Sequence, residues 1–197
     1  MITKTQSILK RLFDLVLSLI LLPMLIVPIF VLILIATIDT GQWGLFSQLR
    51  VGQHAKFFKI YKIRTLKNDV HQLGHLEKSA TEFGSFLRRT KLDELPQLFN
   101  VIRGDMSFVG PRPDIPGFAD VLDGEDSIIL KVKPGITGPA TLKYKNEEAL
   151  LALQDDPETY NRTIIWPDKV KINKNYVQTW SFYLDLRHIL KSIVNSK

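Results

Sequence analysis

Two adjacent carboxylates, Asp93 and Glu94, lie in the segment LDELP, and an arginine between two prolines, Arg112, follows in FVGPRPD. The start of a helix offers backbone donors and the positive end of the helix dipole to anions. Successive helical residues point about 100° apart, so the two acids can have different roles. One carboxylate can attack phosphorus while the other holds Mg²⁺, which binds one or two carboxylates together with phosphate oxygens. The pattern therefore indicates phosphate chemistry.

The same residues also have a purely structural interpretation. Asp93 can cap a short helix, Glu94 suits its first turn, and Pro96 is tolerated there because the first N–H groups have no partner within the helix. Gly104 would then end the helix. Taken alone, the segment leaves both interpretations open.

Arginines lie on both sides of the acid pair. Pro111 and Pro113 stiffen the backbone around Arg112, which leaves its guanidinium little freedom to lose when it binds an anion. Arg88 and Arg89 precede the acid pair by a few residues. An isolated arginine–carboxylate pair would be ordinary structural ion pairing. The acids, the arginines and the rigid loop together favour phosphate binding.

Other chemistries find less support in the sequence. Cysteine is absent, which excludes a disulfide framework and a thiol nucleophile. His71 and His75 have the spacing of two zinc ligands on one helix face, but Gly74 interrupts the helix and no third ligand is evident. Surface histidines are therefore the favoured interpretation. Neither a GxGxxG motif nor a Walker-type loop occurs.

The chain of 197 residues is basic, with a net charge of +6. This charge favours anionic partners such as nucleic acid, phosphorylated substrates or acidic lipid surfaces. No nucleic-acid-binding motif is recognisable, and a long apolar segment near the N-terminus disfavours that partner. The length suffices for one globular core with one appendage.

The apolar segment runs from Leu15 to Ile38 and carries no charge. As a helix it would be about 36 Å long, enough to cross a hydrocarbon core of about 30 Å, so we expect it to enter the membrane. Pro23 and Pro28 lie inside it, and each removes a helix hydrogen bond and favours a kink. Cations flank both ends, which favours a cytoplasmic location for both flanks. These residues leave a spanning and a re-entrant helix equally open.

The rest of the chain must position these residues, and its pattern predicts an α+β, mostly helical body. Alternation in FFKIYKIRT and a turn around Gly52 and Gln53 predict a hairpin or a pair of short strands, whereas residues 68–90 have a more helical pattern. KPGITGP predicts a loop with two tight turns, and Lys145 beyond it is a candidate cation for substrate binding. Residues 180–194 have helical apolar spacing, which fits an interfacial helix and an ordinary amphipathic helix equally well.

The segment LDELPQLFNVIRGDMSFVGPRP closely resembles the core signature of the bacterial sugar transferase family, the monotopic polyprenyl-phosphate phosphoglycosyl transferases. RLFDLVLSL, FFKIYKIRT, KPGITG and YLDL extend the resemblance along almost the whole chain. The family implies a small catalytic domain, residues 41–197, on the cytoplasmic face of the bacterial inner membrane, with interfacial amphipathic helices. Residues 1–40 would form a re-entrant membrane helix kinked at Pro28.

The resemblance implies an enzyme that moves a sugar-1-phosphate from a UDP-sugar to polyprenyl phosphate, giving polyprenyl diphosphosugar and UMP with Mg²⁺ as cofactor. Asp93 would attack the donor phosphorus and carry a covalent phosphosugar, and Glu94, with Asp93 beside it, would bind the metal. Arg112 falls in the PRP motif of the family, and Lys59 and Arg88 match basic positions near the phosphate site. The partners would be these two substrates and inner-membrane lipid, without nucleic acid, and formation of a homo-oligomer is left open.

The sequence departs from the family pattern at three positions. Val27 precedes the kink proline where family members often have serine, and Pro23 is an additional break in the helix. Pro139 follows KPGITG where a bulky residue is common, so the resemblance does not extend to the choice of sugar. A catalytically inactive, membrane-anchored scaffold in polysaccharide assembly is the alternative function. The presence of the acid pair together with Arg112 argues against it.

Overall fold

The computed structural model describes residues 2–67, 73 and 79–194, so the predicted histidine pair, His71 and His75, lies outside the described residues. Helices make up most of the described chain, which confirms the mostly helical α+β prediction. The helices are α1 Lys4–Thr40, α2 Glu82–Thr90, α3 Gln97–Arg103, α4 Pro139–Lys143, α5 Glu147–Ala152, α6 Pro157–Tyr160, α7 Trp166–Gln178 and α8 Phe182–Val194. The strands are β1 Leu45–Val51, β2 Phe57–Ile63, β3 Ser107–Val109 and β4 Gly135–Thr137.

Helix α1 is a single helix of 37 residues, about 55 Å long. Thr3 caps it by accepting a hydrogen bond from the backbone N–H of Gln6, and the Gln6 side chain accepts one from Thr3 in return. Gly41 ends the helix in the left-handed conformation, with φ of 68°. The helix continues through both Pro23 and Pro28. A long apolar N-terminal helix is therefore confirmed, and a bend at Pro28 stays a prediction.

Both halves of α1 pack against the same body. Near its N-terminus, Arg11 donates hydrogen bonds to the carbonyl oxygens of Val101 and Ile102 at the end of α3. Near its C-terminus, Ile33 and Ala36 are buried in a cluster that includes Leu87 of α2. Between these contacts the helix exposes large apolar side chains, including Leu19, Ile20 and Met24. The body therefore covers both ends of a helix whose middle remains apolar and exposed.

A buried carboxylate, Asp185 of α8, connects α1 to the end of the described chain. It accepts hydrogen bonds from Lys10 Nζ, from the Tyr176 hydroxyl at 2.7 Å and from Trp180 Nε1 at 3.1 Å. Asp185 is 1% exposed and Lys10 is also buried. Because three donors converge on one carboxylate, the relative positions of α1, α7 and α8 are closely fixed.

The predicted hairpin is confirmed. Strands β1 and β2 pair in antiparallel register from Leu45 opposite Ile63 to Val51 opposite Phe57. Asn100 of α3 then binds the backbone of β2: its Oδ1 accepts from the Tyr61 N–H at 3.1 Å, and its Nδ2 donates to the Lys59 carbonyl at 2.8 Å. This side-chain amide satisfies backbone groups that a neighbouring strand would otherwise bind, and it fixes α3 against the hairpin.

The prediction of a plain loop at KPGITG is wrong, because this segment includes β4, which pairs in parallel with β3. Glycine permits the pairing, since a Cβ on Gly135 would lie 2.1 Å from the Gly110 nitrogen. The Gly110 N–H donates to the Thr137 carbonyl at 2.9 Å, and the Gly135 N–H donates to the Pro111 carbonyl at 2.8 Å. These bonds hold the chain immediately before Arg112 in a fixed position.

The contact between α1 and α8 gives a first testable prediction. Asp185→Asn keeps the size of the side chain but removes the carboxylate to which the buried Lys10 ammonium is hydrogen-bonded, leaving only the nearby Asp14 to balance its charge. We expect the free energy of unfolding to fall by about 3–5 kcal/mol, followed as a lower Tm in detergent micelles. Adding Lys10→Met should recover part of this loss, since it removes the unpaired charge. Equal losses in the single and double variants would contradict an ion pair as the connection between the two helices.

Candidate active site

The acid pair lies in a tight turn between α2 and α3. Lys91 adopts the left-handed conformation, with φ of 59°, and ends α2. Leu92–Glu94 form one 3₁₀ turn, and α3 begins only at Gln97. No side chain among the residues that the structure describes caps α3, so the structural interpretation of Asp93 as its cap is wrong. The reason is that α3 starts one turn later than the pattern suggested, which leaves the Asp93 carboxylate outside the capping position.

Glu94 is buried, at 8% exposure, and is held by two cations. Its Oε1 accepts hydrogen bonds from an Arg112 guanidinium nitrogen at 2.7 Å and from Lys62 Nζ at 3.0 Å. Burial by itself would raise the pKa of Glu94, but Arg112 and Lys62 outweigh it and hold this pKa well below its ordinary value. Glu94 is therefore an ionised carboxylate in a fixed position.

Asp93 is equally buried, at 6% exposure, but its Oδ1 has no hydrogen-bond partner among the described residues. Burial raises the pKa of Asp93; the nearby Lys62 lowers it and the charge of Glu94 raises it further. A buried polar atom without a partner costs about 1–3 kcal/mol, and such atoms in native structures call for a functional or ligand-based explanation. The two neighbours therefore differ, because Glu94 is engaged by cations whereas a buried oxygen of Asp93 has no hydrogen-bond partner among the described residues.

Arg112 reaches Glu94 from the loop that the β3–β4 pairing holds in place. Pro111 and Pro113 on either side of it are buried. The Arg112 side chain is 36% exposed, so part of the guanidinium faces outward while one nitrogen binds Glu94. Arginine has five N–H donors, and the single contact with Glu94 leaves others for an anion. The negative charge of Glu94 also raises the pKa of Arg112. The Arg112 guanidinium therefore stays cationic.

The other predicted cations lie in different environments. Arg88, in the last turn of α2, is near enough to Asp93 for its charge to lower the pKa of that carboxyl. Lys59 and Lys145 are exposed, and neither forms an ion pair within the described part of the chain. Lys59 leaves β2 on the face opposite Lys62, because strand side chains alternate and the two residues are three apart. The structure thus brings Arg88 and Arg112 to the acid pair and leaves Lys59 and Lys145 at the surface.

Sequence reasoning did not assign Lys62, Arg50 or Asp114 to the site. The alternation in FFKIYKI was a usable signal for Lys62, since it separates the two lysines of β2 onto opposite faces. No local signal existed for the other two, which come together because the Val51 N–H donates to the Asp114 carbonyl at 2.9 Å. Burial raises the pKa of Asp114 to about 6, although Lys169 and Arg50 oppose this shift.

The acid pair has the donor chemistry that suits Mg²⁺. No group of three or more His, Cys, Asp or Glu side chains lies together in the described ranges, so these residues form no cage made of protein ligands alone. Mg²⁺ instead commonly uses one or two carboxylates and takes its other ligands from phosphate and water. The available Asp93 oxygen beside Glu94 fits that requirement.

Comparison with known proteins gives matches along the whole chain. The family model described as "Bacterial sugar transferase" matches residues 5–196. The sugar transferase EpsL of Bacillus subtilis is 37% identical over 183 residues, 91% of this chain and 83% of EpsL. The UDP-glucose:undecaprenyl-phosphate glucose-1-phosphate transferase of Caulobacter vibrioides is 33% identical over 93% of this chain and 68% of its own length. The undecaprenyl-phosphate galactose phosphotransferase of Salmonella typhimurium is 29% identical over 96% of this chain.

The long apolar helix on a mostly helical body is consistent with membrane association, and the match over residues 5–196 defines the class of protein. The chain belongs to the bacterial sugar transferase family, as its signature segments predicted. It is thereby a member of a family of phosphoglycosyl transferases. The chain spans only 40% of the length of the Salmonella relative. The relatives are named for different sugars, so membership of the family does not define the donor.

The half-buried Asp114 gives a prediction about pH. Its folded pKa of about 6 lies above the ordinary value of 3.8, so the protonated carboxyl stabilises the fold, and this contribution is lost as the pH rises through about 6. Asp114→Asn cannot lose a proton. The Tm of this variant minus the Tm of the wild type should therefore increase by about 5 °C between about pH 4.5 and about pH 7.5.

The control for this measurement is Asp155→Asn, which changes an exposed aspartate. We expect its Tm difference from the wild type to stay constant over the same pH range. A constant difference for Asp114→Asn as well would show that this carboxyl does not titrate with a raised pKa.

Proposed function

We propose that this chain transfers a sugar-1-phosphate from a UDP-sugar to undecaprenyl phosphate or a similar polyprenyl phosphate, and so performs the first membrane step in assembling a surface polysaccharide or glycoconjugate. One observation carries the proposal: the buried Asp93 oxygen has no partner in the described part of the chain, while the adjacent Glu94 is held by Arg112 and Lys62. The names of the relatives, which refer to undecaprenyl phosphate and to glucose or galactose, support the substrate classes.

In the first step, an Asp93 carboxylate oxygen attacks the phosphorus that carries the sugar and forms a new P–O bond. The bond from this phosphorus to the oxygen that bridges it to UMP breaks, and UMP leaves with the electron pair. Asp93 then carries the phosphosugar as an acyl phosphate. Its burial favours the attack, because a poorly solvated carboxylate gives up little hydration when it reacts.

In the second step, a phosphate oxygen of the polyprenyl phosphate attacks the same phosphorus. The bond to Asp93 breaks, the carboxylate takes the electron pair, and polyprenyl diphosphosugar is released. Arg112 offers its remaining donors to the phosphate oxygens, and its contact with Glu94 fixes it before substrate binds. Mg²⁺, when bound by Glu94 and Asp93, would neutralise charge on the phosphates.

An inactive scaffold is the alternative that this site argues against. A scaffold would need the membrane helix and the basic surface, but it would gain nothing from a buried carboxylate oxygen without a partner. Such an oxygen reduces stability, so its presence beside Glu94 and Arg112 favours a catalytic role.

Replacing the proposed nucleophile tests the reaction. Asp93→Asn should lower UMP release by about 10³-fold or more, because the amide cannot attack phosphorus. Purified protein in detergent is incubated with Mg²⁺ and a panel of UDP-sugars, and the covalent adduct is detected as a gain in intact mass. Polyprenyl phosphate is then added, and turnover is measured as released UMP.

Asp155→Asn provides the matched control and should retain both the adduct and turnover. A phosphosugar adduct on the Asp93→Asn protein would show that another residue is the nucleophile. If the wild type releases UMP from none of the donors, the scaffold interpretation gains support.

We also propose that α1 enters the membrane and returns to the same side, with the body on the cytoplasmic face of the bacterial inner membrane. The packing of both halves of α1 against one body supports this topology, because a helix crossing the bilayer would separate its two ends. Helix α8 supports it further: Phe182 contacts Phe13 of α1, with ring centroids 5.1 Å apart, and α8 exposes a stripe of apolar residues. This stripe consists of Tyr183, Leu186, Leu190 and Ile193.

Cysteine labelling tests the topology, and the absence of native cysteine gives a clean background. Single cysteines replacing Thr5 and Gln42, at the two ends of α1, should both react with a membrane-impermeant maleimide only when the cytoplasmic side is accessible. A cysteine replacing Asp155 marks the side on which the body lies. Labelling of the first two positions from opposite sides would exclude a re-entrant helix.

A further inference from the structure

A groove of about 530 Å³ lies between the N-terminal half of α1 and the chain segment just before β4. Ile8, Leu12 and Leu15 line it from α1, and Lys131, Val132 and Lys133 line it from the other side. Gln53 fixes the second wall by donating from Nε2 to the Lys131 carbonyl at 2.8 Å. This volume is typical of sites that bind small molecules.

The charges along the groove are mostly positive. Four cations line it, namely Lys10, Arg11, Lys131 and Lys133, against one carboxylate, Asp14. Lys10 is engaged by Asp185, and Arg11 by the carbonyls at the end of α3. Lys131 and Lys133 form no ion pair with any residue that the structure describes. The groove therefore contains two lysines that an anion can bind.

Among the cations of the groove, Lys133 is the one whose charge a bound anion would stabilise most. Its Nζ and an Arg11 guanidinium nitrogen lie 3.2 and 3.3 Å from the point where a Cβ on Gly104 would stand, so the two charges are close together. Burial lowers the pKa of Lys133 and the charge of Arg11 lowers it further, although the carboxylates of Asp14 and Asp105 oppose part of this shift. A negatively charged group in the groove would relieve this repulsion.

The apolar wall indicates that the ligand is a lipid rather than a free anion. Ile8 is 62% exposed and Leu12 57% exposed, and with Leu15 they follow helical spacing along one face of α1. Leu19 continues this exposed apolar surface toward the middle of the helix. A free phosphate would use the lysines and leave the apolar wall in water. An anionic lipid would use both.

We propose that this groove binds an anionic glycerophospholipid of the surrounding bilayer, with its headgroup phosphate at Lys131 and Lys133 and the start of an acyl chain against Ile8 and Leu12. The proposal requires that α1 be in the membrane, but it does not depend on transferase activity. The polyprenyl acceptor is not the occupant, because its phosphate must reach the phosphorus at Asp93. None of Asp93, Glu94 and Arg112 lines the groove.

The bound lipid would act as a local anchor. It would join the N-terminal half of α1 to the segment before β4, and β4 holds the backbone that leads to Arg112. Anionic lipid should therefore stabilise the fold as well as bind, since a ligand that prefers the native state raises Tm.

The test uses the full chain in detergent with dioctanoyl phosphatidylglycerol as the probe, and native mass spectrometry counts the bound lipid. Lys131→Gln/Lys133→Gln should bind this lipid about 30-fold more weakly than the wild type, because each basic residue adds to the attraction. Lys56→Gln/Lys171→Gln removes the same charge at exposed positions outside the groove and should bind as the wild type does. Equal weakening in both double variants would overturn the proposal, since it would mean attraction by overall charge alone.

A second variant, Leu12→Gln, removes apolar wall without changing charge, at a position exposed enough to be substituted without unfolding the chain. The variant should bind dioctanoyl phosphatidylglycerol more weakly than the wild type, and the lipid should raise its Tm by less. Unchanged binding would show that the acyl chain of the lipid does not contact this wall.

Dioctanoyl phosphatidylcholine should bind to the wild type more weakly than dioctanoyl phosphatidylglycerol does. Displacement of phosphatidylglycerol by inorganic phosphate would identify a free-anion site, and displacement by farnesyl phosphate at equal concentration would identify an acceptor site. Either displacement would overturn the proposal.

Discussion

The constraint on which the rest of the structure depends is the burial of two neighbouring carboxylates. Asp93 and Glu94 are 6% and 8% exposed, and adjacent charges of the same sign cannot be buried without cations close by. The fold supplies those cations from separate parts of the chain. Lys62 comes from the hairpin and Arg112 from the loop after β3, and both bind the same oxygen of Glu94. Positioning these two side chains therefore requires the hairpin, α3 and the parallel strand pair to be mutually fixed.

That requirement gives a physical reason for two features that otherwise look incidental. The Asn100 amide binds backbone groups of β2 and sets the distance between the hairpin and α3. Gly110 and Gly135 allow two backbones to approach more closely than any side chain would permit, which fixes the start of the arginine loop. Because both devices hold backbone in place, the site is organised before a substrate arrives, and little conformational entropy remains to be lost on binding.

The sequence was informative where structure depends on local pattern. Alternation located the hairpin, helical spacing located α8, and Gly104 ends α3 with φ of 89°, as a glycine at that position predicts. It was uninformative where contacts join distant segments. The pairing of β3 with β4 depends on close backbone approach and has no signature of its own, so KPGITG was expected to be a loop. Arg50 and Asp114 likewise come together only because the chain folds back on itself.

At the acid pair, too, the local sequence leaves open what contacts with distant segments decide. Its composition fits a helix cap and a reaction centre equally well, since both place carboxylates near backbone donors. Two structural facts weigh against the helix cap: no side chain in the described part of the chain caps α3, and the buried Asp93 Oδ1 has no partner there, whereas Glu94 Oε1 binds two cations. Cations that fully neutralised both acids would leave neither available for reaction. Lys62 and Arg112 both bind Glu94 and hold that carboxylate in a fixed ionised state, whereas an Asp93 oxygen has no partner among the described residues. The two adjacent, chemically similar residues therefore differ because their surroundings differ.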